Sequence, residues 1–216
     1  MIQQAISFTG AEKAIVDAFE ARKKDDKKAD YWKEAEVEPV KSEIKRHYLT
    51  QQGFRCCYCN QEYLISHGRF WDVEHVLARS THPWFLFEPK NLAVSCIECN
   101  QSKSDTGVCT VEAKRKYPDR PDRFTIVHPH YDEYSDHIEI VMNRIYFSKT
   151  SKGSLTVYLC KLERFSGDHL GVNRKYAEMG EILQLASELL AANDDVTRKA
   201  KIDTILIAAT QGYLRR

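Results

Sequence analysis

Apolar positions recur at helical spacing near both ends of the chain and at strand spacing between them. Ala14, Ile15, Ala18 and Phe19, with Arg22, form a helical stripe, and the charge run from Arg22 to Lys28 reads as a solvated helix end or loop. A second helix is predicted from Pro39, a favourable first-turn residue, through Gln52. Val40, Ile44 and Leu49 turn inward on it, and Gly53 stops it. Phe70 to Leu77 alternates as a strand, and Asn91 to Val94 reads as a short returning strand. Ser95 at an N-cap with Glu98 three residues on predicts a capping box and a helix beginning at Cys96. Further strands are expected at Phe124–Val127, His137–Val141, Arg144–Phe147 and Leu155–Leu159. Helical periodicity returns over 175–192 and 194–210, with Asn193, Asp194 and Asp195 as stop and new N-cap.

The class is therefore α+β, in three regions: helical over 1–53, a dense core over 54–106, and an α+β extension over 107–216. A composition of 43% hydrophobic and 29% charged residues is that of an ordinary globular protein. Residues 1–8 lack the basic start and apolar run of an export signal, and no stretch is apolar enough for a membrane span. A cytoplasmic address without a membrane partner is the expectation. The net charge of +1 excludes a global polyanion binder but leaves local nucleic-acid contacts open.

Five of the seven cysteines fall in two groups, Cys56-Cys57-Tyr58-Cys59 and Cys96-Ile97-Glu98-Cys99. A C-x2-C turn lets both sulfurs face one tetrahedral ion, so Cys56, Cys59, Cys96 and Cys99 read as a structural zinc site, with Cys57 a bystander. The odd cysteine count fits a reducing compartment. The 36 residues between the groups exceed the needs of a zinc ribbon and carry chemistry of their own. Glu74-His75 lies on the first strand, and helical spacing puts Cys96, Cys99, Asn100 and Lys103 near one side of the helix.

In this order of residues, Cys56 to Asp105 resembles an HNH (ββα-metal) endonuclease of the zinc-containing subgroup: C-x2-C, acid-His, a later Asn, then C-x2-C-Asn-x2-Lys. The resemblance implies a DNA-cutting module with His75 as general base, and Glu74 and Asn100 as ligands of one catalytic Mg²⁺ or Mn²⁺. It implies that Asn91 orients the loop and His75. Lys103 reads either as a phosphate contact or as a solvated helix lysine. Glu74 stands where the family usually has Asp, and Asn100 where it often has His; Asp72, on the strand face of Glu74, is a possible auxiliary ligand. A neutral imidazole can take a proton from water near neutral pH, and oxygen donors suit a hard cation.

At whole-chain level, Val40-Lys41 before the first knuckle and His128-Pro129 before the later strands are similar to HNH nucleases of anti-phage systems, particularly the Septu and retron-associated type. Those nucleases work beside an ATPase partner. A non-catalytic zinc-ribbon module that binds nucleic acid or a partner is the alternative, and an RNA-directed nuclease a third reading.

Three other groups stand out. His128, His130, Asp132, Asp136 and His137 read as a second metal cluster or, preferred, as a turn whose histidines bond backbone carbonyls. His82 to Phe87 forms either an aromatic wedge for DNA or, preferred, the roof of the hairpin core. Lys114, Arg115, Lys116, Arg120 and Arg123 are candidate nucleic-acid contacts or a solvated basic loop.

Overall fold

Helix α2 (Glu38–Gln51) is the element around which the rest assembles. Its buried face is Val40, Ile44, Tyr48 and Leu49. The stop at Gly53 is a Schellman ending, with φ +56° at Gly53 and bonds from Gly53 N to Thr50 O and from Phe54 N to Leu49 O. In the computed structural model the described residues are 2–65, 70–113, 116–141 and 143–167, together with 194, 198, 199 and 202. Apart from those last four, the helices expected over 175–192 and 194–210 lie outside the described residues, as do Lys114 and Arg115. Residues Met1–Ser166 form one compact unit and Gly167–Arg216 another.

Strands β1 (Trp71–His75) and β2 (Leu92–Cys96) pair antiparallel, with Asp72 opposite Ser95, Glu74 opposite Ala93 and His75 opposite Leu92. A two-stranded ribbon leaves two open edges. One edge of β2 is closed without a third strand: the Gln52 amide donates to Val94 O and accepts from Val94 N, while Cys57 N donates to the same carbonyl. Helix α3 (Ile97–Lys103) follows β2 directly. The capping box does not form. Cys96 remains paired with Trp71 and is itself the N-cap residue, so Ser95 stays inside the strand with its hydroxyl buried. Glu98 pairs instead with Arg164.

Helix α1 (Gly10–Glu20) buries Val16 and Phe19 rather than Ala14 and Ala18, which are exposed. The face is set by Phe19, which stacks on Tyr31 and meets Phe87 edge-on. Phe85, Leu86 and Phe87 are buried, so the aromatic run after Pro83 roofs the core.

Downstream, α4 (Tyr134–His137) leads into a second ribbon of β3 (Ile138–Val141) and β4 (Ile145–Ser148), then α5 (Ser151–Leu159) and α6 (Arg164–Gly167). Two expected strands are corrected. Leu155–Leu159 is helical: the Thr150 hydroxyl caps α5 by accepting from Gly153 N, and a side chain at Gly153 would collide with the His137 carbonyl. Phe124, Ile126 and Val127 are buried, but the segment is not a strand. Only Phe124 bridges to Cys109, and Val127 N bonds the Thr156 hydroxyl of α5 instead of a neighbouring strand.

The histidine-rich turn is structural. His130 Nε2 donates to Leu92 O of β2. His128 Nδ1 accepts from His130 N, which leaves its Nε2–H for the Tyr117 hydroxyl. His137 Nε2 lies 3.4 Å from Asp132, whose other oxygen takes Lys152 and His128 N.

Two outcomes follow. Gly153→Ala should destabilise the fold by about 1–3 kcal/mol in chemical denaturation despite alanine's better helix propensity, because backbone must shift to admit the methyl. Burial pushes His130 down to about 4, so the folded state binds fewer protons than the unfolded one, whose imidazole titrates near 6.5. Stability is therefore complete above the unfolded value and declines as pH falls from there toward 4. With zinc in excess, His130→Gln, which keeps an amide for Leu92 O, should flatten that slope by up to about 1.4 kcal/mol per pH unit.

Candidate functional site

The four sulfurs of Cys56, Cys59, Cys96 and Cys99 lie within 4.8 Å of one another, and all four residues are buried. Zinc–thiolate bonds of about 2.3 Å require such a cluster, and the four cysteines are positioned to bind a zinc ion. Each pair comes from a different element: a tight turn after α2, where Asn60 takes a left-handed φ of +54°, and the β2–α3 junction. Cys57 lies outside the set. The shell around the sulfurs is polar where it needs to be. Cys96 N and Tyr58 N donate to Cys56 Sγ at 3.3 and 3.5 Å, and Arg164 reaches Cys99 Sγ at 3.1 Å while its Nε pairs with Glu98. Four thiolates around Zn²⁺ carry two net negative charges, which Arg164 partly offsets. Nothing in the spacing pointed to Arg164, 65 residues from Cys99.

Beside this cluster an open cleft of about 1070 Å³ runs between α2 and the hairpin. Asp72, Val73, Glu74 and His75 from β1, Asn100 from α3, and Ser104 and Asp105 just after that helix form its floor, with Arg79 after β1. The facing wall carries Trp32, Lys33, Lys41, Lys45 and Arg46. Sequence reading missed this wall. Lys41 and Lys45, four apart on one helix face and followed by Arg46, were the available signal.

His75 is nearly buried. Its Nε2 donates to Leu86 O at 3.0 Å, Trp32 packs edge-on at 4.7 Å, and burial pushes the imidazole down to about 3, so it is neutral near pH 7. With Nε2 protonated, Nδ1 holds a lone pair and has no protein partner among the described residues. Asn91 is fully buried. Its amide donates to Leu77 O and Phe85 O and accepts from Leu77 N, closing the loop that presents Leu86 O. Both ends of the amide are engaged by loop backbone.

Lys103 is 1% exposed and 2.8 Å from Glu74 Oε1, so it is not a solvated helix lysine. Glu74 is equally buried; burial raises its carboxyl, Lys103 and the Tyr58 hydroxyl oppose that, and both bond the same oxygen. Asn100 does face the cleft, donating from Nδ2 to Asp72 Oδ2 at 2.8 Å. Of the basic connector, Lys116 pairs with Asp119, and Arg120 and Arg123 with Asp122.

No protein-family model matches the chain, and no solved structure matches it. The chain is 28% identical over 161 residues to a Septu protein, PtuB, of Bacillus thuringiensis. The match takes in 73% of the chain but only 57% of that relative, so the chain spans just over half its length. Among the described residues no helix is long and apolar enough to cross a membrane.

Arg164→Gln should lower zinc affinity about 10- to 100-fold in competition with a chelating dye, as losses around a metal's ligands do. Arg164→Lys should restore little, since a single ammonium cannot reach both the sulfur and Glu98 with the fork of a guanidinium.

Proposed function

We propose that this chain is an HNH-type (ββα-metal) nuclease that hydrolyses DNA in anti-phage defence, acting beside an ATPase partner. The observation that carries the reading is His75: a neutral imidazole at the cleft floor, held through Nε2 by a backbone carbonyl, with the Nδ1 lone pair uncommitted. In this reading Nδ1 takes the proton of a water aligned on a phosphodiester. Leu86 O fixes the tautomer and the ring angle, and Asn91 fixes Leu86 through the loop. Trp32 keeps bulk water off one side of the ring.

Lys33, Lys41, Arg46 and Arg79 supply charge for the nucleic-acid backbone. Lys33, Lys41 and Arg46 are engaged in short-range pairs with Asp30, Glu38 and Glu43, weak surface pairs that phosphate can replace. A divalent cation bound to oxygen donors of the floor would neutralise charge on the phosphate and its leaving oxygen. The hairpin followed by a helix, the four-cysteine cluster and the similarity to a Septu protein support the family and the defence role. A net charge of +1 supports dependence on a partner, because little here would hold DNA unaided.

Plasmid cleavage with Mg²⁺ or Mn²⁺, with and without the ATPase, tests this. His75→Ala should lose at least about 100-fold in rate while keeping zinc and fold. Cleavage at the wild-type rate by that variant would refute the mechanism. Metal-independent binding without cutting would favour the zinc-ribbon alternative. Parallel single-stranded DNA, duplex DNA and RNA substrates decide the nucleic acid.

A further inference from the structure

A second cavity, of about 920 Å³, opens beside the aromatic run that roofs the core. Phe85, Phe87 and Tyr117 line it and are buried, and the Tyr117 hydroxyl is taken by His128, so the floor is aromatic and apolar. Trp84 lines the same cavity but is only half-buried. Its ring is held in place. Nε1 donates to Ala113 O at 3.1 Å, and the rings of His82 and Phe85 meet it edge-on at 5.4 and 5.9 Å. A fixed, partly exposed indole is a stacking platform for a flat aromatic ligand.

The rim of this cavity carries uncommitted positive charge. Arg22 and Lys24, just after α1, are both exposed on it. Lys24 Nζ stands 4.0 Å from the centre of the Trp84 ring, and the Arg22 guanidinium lies 4.2 Å from that of Tyr31. Neither makes an ion pair among the described residues, whereas Lys27 and Lys116 of the same lining pair with Glu20 and Asp119. A cation on an exposed ring face is weakly held, and a base competes for that face by stacking. The displaced ammonium then serves a phosphate carried by the same ligand. Two carboxylates, Asp25 and Glu88, also line the cavity. They repel a long phosphate backbone, yet can accept from ribose hydroxyls or a base amino group. A bare anion needs no ring, and an apolar ligand needs no cation; a nucleotide uses both.

We propose that this cavity binds a nucleotide, with its base on the Trp84 ring and its phosphate on Arg22 and Lys24. The chemistry recognised is base plus phosphate, whether of a free nucleotide or of the end of a single strand. Paired bases inside a duplex offer no free face to an indole. The site is separate from the cleft and does not rest on the nuclease reading. Phe87 and Trp32 divide the two: Phe87 lines this cavity and packs on Trp32 at 5.9 Å, and Trp32 lines the cleft and meets His75 at 4.7 Å.

The test is calorimetric titration of the zinc-loaded full chain, without added Mg²⁺ or Mn²⁺, using ADP, a single-stranded deoxyadenosine pentanucleotide and inorganic phosphate. Wild type should bind ADP or the pentanucleotide at least about tenfold more tightly than inorganic phosphate. Trp84→Ala should weaken that binding about 5- to 150-fold, the loss of one stacked base, and Trp84→Phe, which keeps a π face, should recover most of it. Arg22→Gln combined with Lys24→Gln changes only exposed positions, so the fold is kept, and should weaken binding about tenfold or more. Lys41→Gln, on the wall of the cleft, should leave it within about threefold. Tighter binding of ADP identifies a free nucleotide and tighter binding of the pentanucleotide a strand end; either upholds the site. No binding of either by wild type at millimolar concentration would overturn it, as would equal affinity for inorganic phosphate. So would unchanged binding in a folded Trp84→Ala or in the Arg22 and Lys24 double variant, or loss of binding on Lys41→Gln alone. Trp84-dependent nucleotide binding by a chain that cuts no nucleic acid would uphold the site and refute the nuclease reading.

Discussion

Four sulfurs within 4.8 Å join a turn at residues 56–59 to a helix start 40 residues later, and the arrangement of the cleft depends on that junction. The ribbon of β1 and β2 is too short to be stable alone. Its helix, α3, has seven residues, below the length at which an isolated helix holds in water. Metal binding can supply the missing folding free energy, because the four thiolates converge only in the folded chain. Since Cys99 and Asn100 are adjacent on α3, whatever fixes the sulfurs also sets where Asn100 meets Asp72. Arg164 extends the same dependence to the segment after α5.

A second constraint is the buried ion pair behind the floor. Tyr58 belongs to the first cysteine turn, Glu74 to β1 and Lys103 to α3, so one carboxylate oxygen joins three elements that the sulfurs join from the other side. A pair this deep contributes little net stability but punishes any register in which one partner is missing. It therefore selects a single docking of α3 on the hairpin. That geometry leaves His75 with its carbonyl held by Lys103 and its ring held by Leu86.

The N-terminal region is more than a cover. Tyr48 of α2 donates to Pro89 O and accepts from Ile6 N, and Gln52 substitutes for a strand neighbour along β2. These bonds fix α2 across the cleft from the hairpin and turn its lysines toward the floor. The histidine turn grips the hairpin through Leu92 O, so segments from both sides of the cysteine region brace it.

Much of this was legible in the residues themselves. Spacing alone identified the four cysteines, because two residues between sulfurs is a local geometric requirement of a tetrahedral ion. The period of α2 and its glycine stop, the two hairpin strands and the ribbon at 138–148 were likewise local properties. Local pattern erred where a neighbour decided. Leu155–Leu159 alternates like a strand, yet a threonine cap and the close approach of the His137 carbonyl at Gly153 make it helix. Ser95 and Glu98 spell a capping box, but pairing of Cys96 with Trp71 holds the serine in the sheet. The cleft shows the same division. The acid–histidine motif was visible in one dimension, whereas the burial of Glu74 against Lys103, the half-buried setting of Asp72 and the basic wall of α2 were not. Which of two carboxylates on one strand meets water depends on what packs over each, and packing is a property of the folded chain alone.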